Sequence, residues 1–299
     1  MKELKALVKR NQKLFFKDKG MFFTSLITPL ILLVLYATFL GKIYRDSFAS
    51  AVPEQLHIAK DLINGCAGGQ LVASLLAVSC VTVAFCSNLL MVQDKVSGSI
   101  MDLTVSPVKK SVLAGSYYLA SLSVTLIICY VTTGVSMIYL AVTGWYLSAA
   151  DILFVILDVF LLVMFGTALS SVINFFLNSQ GQISAVGTIV SAGYGFICGA
   201  YMPLSQFSEG LQKVLYFLPG TYGTSLLRNH LMRGGFAAME EAGIPSALVN
   251  EVKKSVDCNI EFLGRTVTIP VMYLILAGAV LLLLGIYILL NKYKKARKK

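Results

Sequence analysis

The chain has 299 residues, of which 57% are hydrophobic and only 13% charged, and its formal net charge is +10. Soluble domains average about 25% charged residues, so this composition excludes an ordinary water-soluble protein. The basic excess does not point to nucleic acid either, because it sits in clusters beside apolar runs, where it attracts anionic lipid headgroups.

Residues 1–20 place Leu4, Leu7, Val8, Leu14 and Phe15 on one helical face and lysines on the other. That pattern predicts an amphipathic helix lying along a membrane surface. Six apolar runs follow, at about 21–41, 68–92, 112–143, 149–177, 181–203 and 269–290. Each meets the roughly 20 residues that cross a bilayer's hydrocarbon core. Pro29 is expected to kink the first run, which reads as an uncleaved anchor because no small-residue cleavage site follows it. The third run exceeds the needed length, so it tilts or projects into water. Ser148 with Asp151 three residues later reads as a capping box opening the fourth run, and Asn178–Gln180 forms a short turn before the fifth.

Between the fifth and sixth runs lie residues 204–268. Phe207, Leu211, Val214, Leu215 and Leu218 repeat at helical spacing up to Pro219, and Leu248, Val249, Val252 and Val256 suggest a second amphipathic helix. Both are expected to dip back into the membrane face. The fold expected is therefore all-α, one transmembrane domain over 1–299 with six spanning helices, an interfacial helix over 1–20 and re-entrant helices in 204–268.

Charge orients these runs. Both termini and the 93–111 linker together hold sixteen basic residues against Glu3, Asp18, Asp94 and Asp102, a balance of +12, whereas 42–67 and 204–268 carry nine of each sign. Basic loops stay on the cytoplasmic side, so both ends and the 93–111 linker are expected there.

Several chemistries lack their signatures. No GxxxxGK[ST] is present, so the chain has no phosphate-cradling loop of its own. The two histidines, His57 and His230, and the six cysteines show no metal-ligand spacing, so neither an enzyme nor a metal protein is expected. Cys66 and Cys258 fall outside the apolar runs, which leaves a disulfide between them open. Asp158 is the one acid deep within a run, and an intramembrane ionisable group is a functional candidate by default. With no Lys or Arg in any run, it is expected to be protonated, to face water, or to accept hydrogen bonds from hydroxyls such as Ser121, Thr125, Thr132 and Ser136. Small residues form two rows, Gly187, Ser191, Gly195, Gly199 and Gly69, Ala73, Ala77, Cys80, Ala84. Such rows let a helix approach closely, either within one subunit or at a dimer seam.

The linker 93–110 carries Asp94 and Lys95, then Gly98, Ser99 and Ile100, then Ser106 and Pro107. This order resembles the coupling loop of type-2 ATP-binding cassette exporter permeases, which has an acidic–basic pair, a Gly–Thr–Leu triplet and a Thr/Ser–Pro turn. Val96 and Ser97 depart from it, since that family commonly has acidic residues there. Gly199, Pro203, Leu218, Pro219 and Arg228 also resemble the same permeases' exit from the fifth span, Leu–Pro turn and downstream arginine.

The resemblance implies a subunit that dimerises, as a homo- or heterodimer, and works with separate nucleotide-binding ATPase subunits that hold ATP and Mg. It assigns coupling to Asp94, Lys95, Gly98, Ser99, Asp102, Leu103 and Pro107. An outer gate is expected from Phe196, Tyr201 and Met202, with Gly195 and Gly199 leaving room and Pro203 ending the helix; the alternative is that these aromatics form an interfacial belt. The activity implied is export of an amphipathic cargo across a bacterial plasma membrane. A lipid-linked polysaccharide exporter and a non-transporting anchor or sensor are the alternatives.

Overall fold

A computed structural model describes residues 1–35, 38–39, 41–50, 60–106, 108–262 and 264–293. Helix α1 (Lys2–Lys17) is followed by α2 (Lys19–Leu35), bent away from it by 75°. The bend falls at Asp18, whose carboxylate accepts a hydrogen bond from the Met21 N–H at 3.1 Å. A short acceptor satisfying a first-turn N–H is how a new helix is started. Helix α2 spans Pro29 without a break, and α3 (Gly41–Ser50) follows it.

The centre of the molecule is α4 (Lys60–Asn88), continued after a break at Leu89 by α5 (Leu90–Val96). Many of its side chains are small, so α7 (Lys110–Thr143), α8 (Ala149–Phe176) and α11 (Pro219–Glu241) all pack closely around it. The short α6 (Ser99–Val105) lies in the linker to α7. Helix α7 is 34 residues long, about 51 Å at ~1.5 Å per residue. The Ser148–Asp151 capping box is present, with each residue bonded to the other's backbone.

Helix α9 (Gln180–Ile197) lies at the periphery, and its end leads into a 3-10 turn (Leu204–Gln206), α10 (Glu209–Leu215), α11, α12 (Ser246–Ser255) and a small antiparallel hairpin of β1 (Glu261–Phe262) and β2 (Arg265–Thr266). The last helix is α13 (Ile269–Tyr293).

Four stretches among the described residues, 60–96, 110–143, 149–176 and 269–292, are long and apolar enough to cross a membrane, and the bent α1–α2 pair adds a fifth if its two helices are taken as one span. The chain is thus an all-α membrane protein. The fifth apolar run differs from its expected extent: α9 stops at Ile197, six residues before Pro203, so Pro203 does not end it. With Gln180, Gln182 and four glycines in 18 residues, α9 is also less apolar than those four. Residues 219–241 form one helix buried between α4, α8 and α13, a longer and deeper element than the apolar pattern suggested. All six cysteines are free, Cys66 and Cys258 both buried.

Candidate functional site

The linker between α4 and α7 is fastened from two sides. Asp94 is 5% exposed. It accepts hydrogen bonds from Arg10 of α1, at 2.8 and 3.3 Å, and from the Tyr117 hydroxyl of α7 at 2.5 Å. Lys95 donates to the carbonyl oxygens of Asn174, Phe175 and Leu177 at 3.0, 2.8 and 3.1 Å and lies over the Phe175 ring. Those carbonyls belong to the end of α8, where a helix has no internal donors left and its dipole favours a cation. The acidic–basic pair therefore faces inward, holding the loop to α1, α7 and α8.

Gly98 follows at φ +82°, a conformation that costs other residues about 1–2 kcal/mol, and it turns the chain from α5 into α6. Ile100 and Leu103 lean back on the core. The opposite side of α6 presents Met101 and Val105, 70% and 86% exposed, with Asp102 also exposed beside them. Ser99 is half-buried and shares a hydroxyl hydrogen bond with Ser97 at 3.0 Å. Pro107 lies outside the described residues.

At the other end, α9 closes with Gly199 at φ +74°. The chain folds back so that the N–H groups of Ala200 and Tyr201 both reach the Gly195 carbonyl. The Tyr201 ring covers Gly195 where a side chain would stand, its hydroxyl donates to the Ser191 carbonyl at 3.3 Å, and Phe196 meets it edge-on at 5.1 Å. Phe196 remains 52% exposed, Met202 is half-buried, and Pro203 is buried at the start of the 3-10 turn. Gly195, Phe196, Gly199 and Tyr201 thus meet in this fold-back, and Met202 and Pro203 follow it in the chain. It also divides the small-residue rows. Gly195 and Gly199 serve this fold-back and Gly69 receives Leu231 and Met232 of α11, whereas Gly187 faces open space.

A buried lock holds that turn. Arg228 of α11 donates to the Gly199 carbonyl at 2.5 Å and to Asp257 at 3.0 Å, and Asp257 accepts from the N–H groups of Leu204 and Ser205 at 2.6 and 3.1 Å. Burial pushes the Asp257 carboxyl above its ordinary range, and Arg228 and the two N–H donors oppose that push.

Asp158 also has partners that the sequence reading missed. His230 Nδ1 of α11 lies 2.6 Å from one carboxylate oxygen, and the Tyr273 hydroxyl of α13 donates to the other at 2.5 Å. Phe154 stacks on the His230 ring at 4.8 Å. None of the α7 hydroxyls expected to reach Asp158 bonds it: Ser121 and Thr125 bond Ser87, Thr132 bonds its own helix, and Ser136 is buried without a hydrogen-bond partner among the described residues. The correction has a simple cause. Arg228, Asn229, His230 and Arg233 make α11 look too polar to be buried. Its helical signals, Pro219 at the first turn and Gly243 at φ +89° just past the end, are local and were available.

The family model described as ABC-2 type transporter matches residues 2–232, from α1 into α11 and across the linker between α4 and α7 and the fold-back after α9. No curated protein matches the chain. The match covers more than three quarters of the sequence, including the motif residues of the linker. On that ground, the chain belongs to the ABC-2 type transporter family and is a multi-pass membrane permease component of an ABC transporter.

Proposed function

We propose that this chain is the permease subunit of an ATP-driven exporter that moves an amphipathic cargo (a drug-like compound, a hydrophobic peptide or a lipid) out of the cytoplasm by alternating access. The observation that carries this reading is the linker at 93–106. It presents a short helix with exposed Met101, Asp102 and Val105 while Asp94 and Lys95 fasten its base to α1, α7 and α8. A partner that pushes α6 therefore moves three helices together. ATP and Mg belong on that separate partner, because this chain has no phosphate-binding loop. Six crossings by α2, α4, α7, α8, α9 and α13, with both ends cytoplasmic, follow from the charge balance of the linker and termini. The open face at Gly187 suits a second permease subunit.

The contacts also say where movement is easy. Near its inner end α4 is tied to α8 by Asn88, which donates to Ser170 and Ser171 at 3.0 and 2.7 Å. Nearer its outer end α4 meets α11 through Gly69 against Leu231 and Met232, with no polar tie at that point. Polar ties join α11 to α8 instead, through His230 with Asp158 and Arg233 with Asp151. An opening in which the outer ends of α8, α11 and α13 swing together away from α4, pivoting about the Asn88 tie, keeps these hydrogen bonds.

Replacing Gly98 with valine tests the coupling assignment. The strain of about 1–2 kcal/mol is expected to deplete the seated loop roughly tenfold. A bulky residue at Asp102 is expected to obstruct the docking face. Both should lower transport-linked ATP hydrolysis while leaving expression and membrane insertion intact, and unchanged coupled turnover in proteoliposomes would remove the assignment.

The gate is tested by Phe196→Ser and Tyr201→Ser. An apolar constriction excludes water and ions, so each change is expected to raise ion leak through reconstituted protein or to shift cargo preference. Variants that assemble normally and match the parent in both would place the constriction elsewhere.

A further inference from the structure

The lysines of α1 form a single stripe. At about 100° per residue, Lys2, Lys5, Lys9, Lys13 and Lys17 fall within about 120° of arc, all exposed, and Lys19 is exposed just past the bend, at the start of α2. The opposite arc holds Leu4, Leu7, Val8, Asn11 and Phe15, with Asn11 and Phe15 buried as α1 packs on α7. Among the described residues none of these six lysines belongs to an ion pair. The nearby acids do not neutralise the stripe: Glu3 lies outside that arc, and Asp18 is engaged with the Met21 N–H.

At the bend to α2, exposed Phe16 and Phe23 flank Phe22 with ring centroids 6.0 and 5.6 Å from it. Cations in a row beside exposed aromatic rings match the two layers of a bilayer surface, phosphates outside and acyl chains beneath. One basic residue of α1 leaves the stripe. Arg10 turns toward the core and binds Asp94, the first residue of the acidic–basic pair at the base of the coupling linker.

We propose that α1 binds the acidic headgroups of the inner leaflet through this lysine stripe, and that the bound leaflet sets how firmly Arg10 holds Asp94 and hence the coupling linker. The first half concerns a lipid surface alone. The second rests on the coupling function proposed above.

The test uses the full chain in nanodiscs of phosphatidylcholine with graded phosphatidylglycerol. In the first arm, the lipid retained after a detergent wash is quantified. The parent is expected to enrich phosphatidylglycerol by about fivefold. That enrichment should vanish at 1 M salt, where screening acts within about 3 Å, and in the variant with Lys2, Lys5, Lys9, Lys13 and Lys17 all changed to Gln. Equal enrichment in that variant, or displacement by millimolar inorganic phosphate, would overturn the lipid surface. In the second arm, with the ATPase partner present, coupled turnover should rise with phosphatidylglycerol in the parent and stay flat in the lysine variant. Arg10→Gln should keep the enrichment but lose the rise. Parent turnover indifferent to phosphatidylglycerol would overturn the regulatory half, whereas absence of any coupled turnover would count against the proposed function and leave the first arm standing.

Discussion

Changing Arg228 to alanine is expected to destabilise the folded chain by about 3–5 kcal/mol, the usual consequence of removing one partner of a buried ion pair. Arg228 is 1% exposed and is one of the largest fully buried side chains in the molecule. Without it Asp257 keeps only the N–H groups of Leu204 and Ser205, burial acts on its carboxylate unopposed by a cation, and the Gly199 carbonyl loses its donor. The fold-back that seats Tyr201 on Gly195 hangs on the same lock. Thermal unfolding in detergent micelles checks this. A loss below about 1 kcal/mol would mean that the pair is worth no more than an exposed one.

Asp158 to alanine is expected to be of similar size, because His230 and Tyr273 would both lose a buried partner. Asp158 to asparagine keeps the shape and one acceptor, so its cost should be nearer 1.5–3 kcal/mol, the range for a hydrogen bond to a charged group. A double-mutant cycle pairing Asp158→Asn with His230→Gln isolates the contact. Additive losses would contradict the pair, and with it the tie that makes α11 move with α8.

The all-helical membrane class was legible in composition and in the separation of charged from apolar residues, because a bilayer imposes both on any sequence that crosses it. Local chemistry was legible as well, as the Ser148–Asp151 capping box shows. What stayed hidden lay in pairs far apart in the chain. Arg10 meets Asp94 across 84 residues, Asp158 meets His230 across 72, and Arg228 meets Asp257 across 29. No periodicity links such positions. Asp94 and Lys95 show a subtler limit: the motif marked the right loop, but which way its charged side chains point depends on where the end of α8 and the face of α1 come to rest. Proline is the stronger breaker on paper, so the sequence places the end of α9 at Pro203, while the observed stop is the left-handed turn at Gly199.

The central claim is that α6 is the point where a cytoplasmic ATPase grips this permease. Met101→Cys tests it most directly, since Met101 is 70% exposed on the outward side of that helix. The account predicts that a short bifunctional reagent joins this cysteine to the ATPase subunit in assembled membranes, and that assembly protects it from a thiol label. It also predicts no reaction with a membrane-impermeant label added outside intact cells. Labelling from outside, or equal reactivity with and without the ATPase, would contradict it.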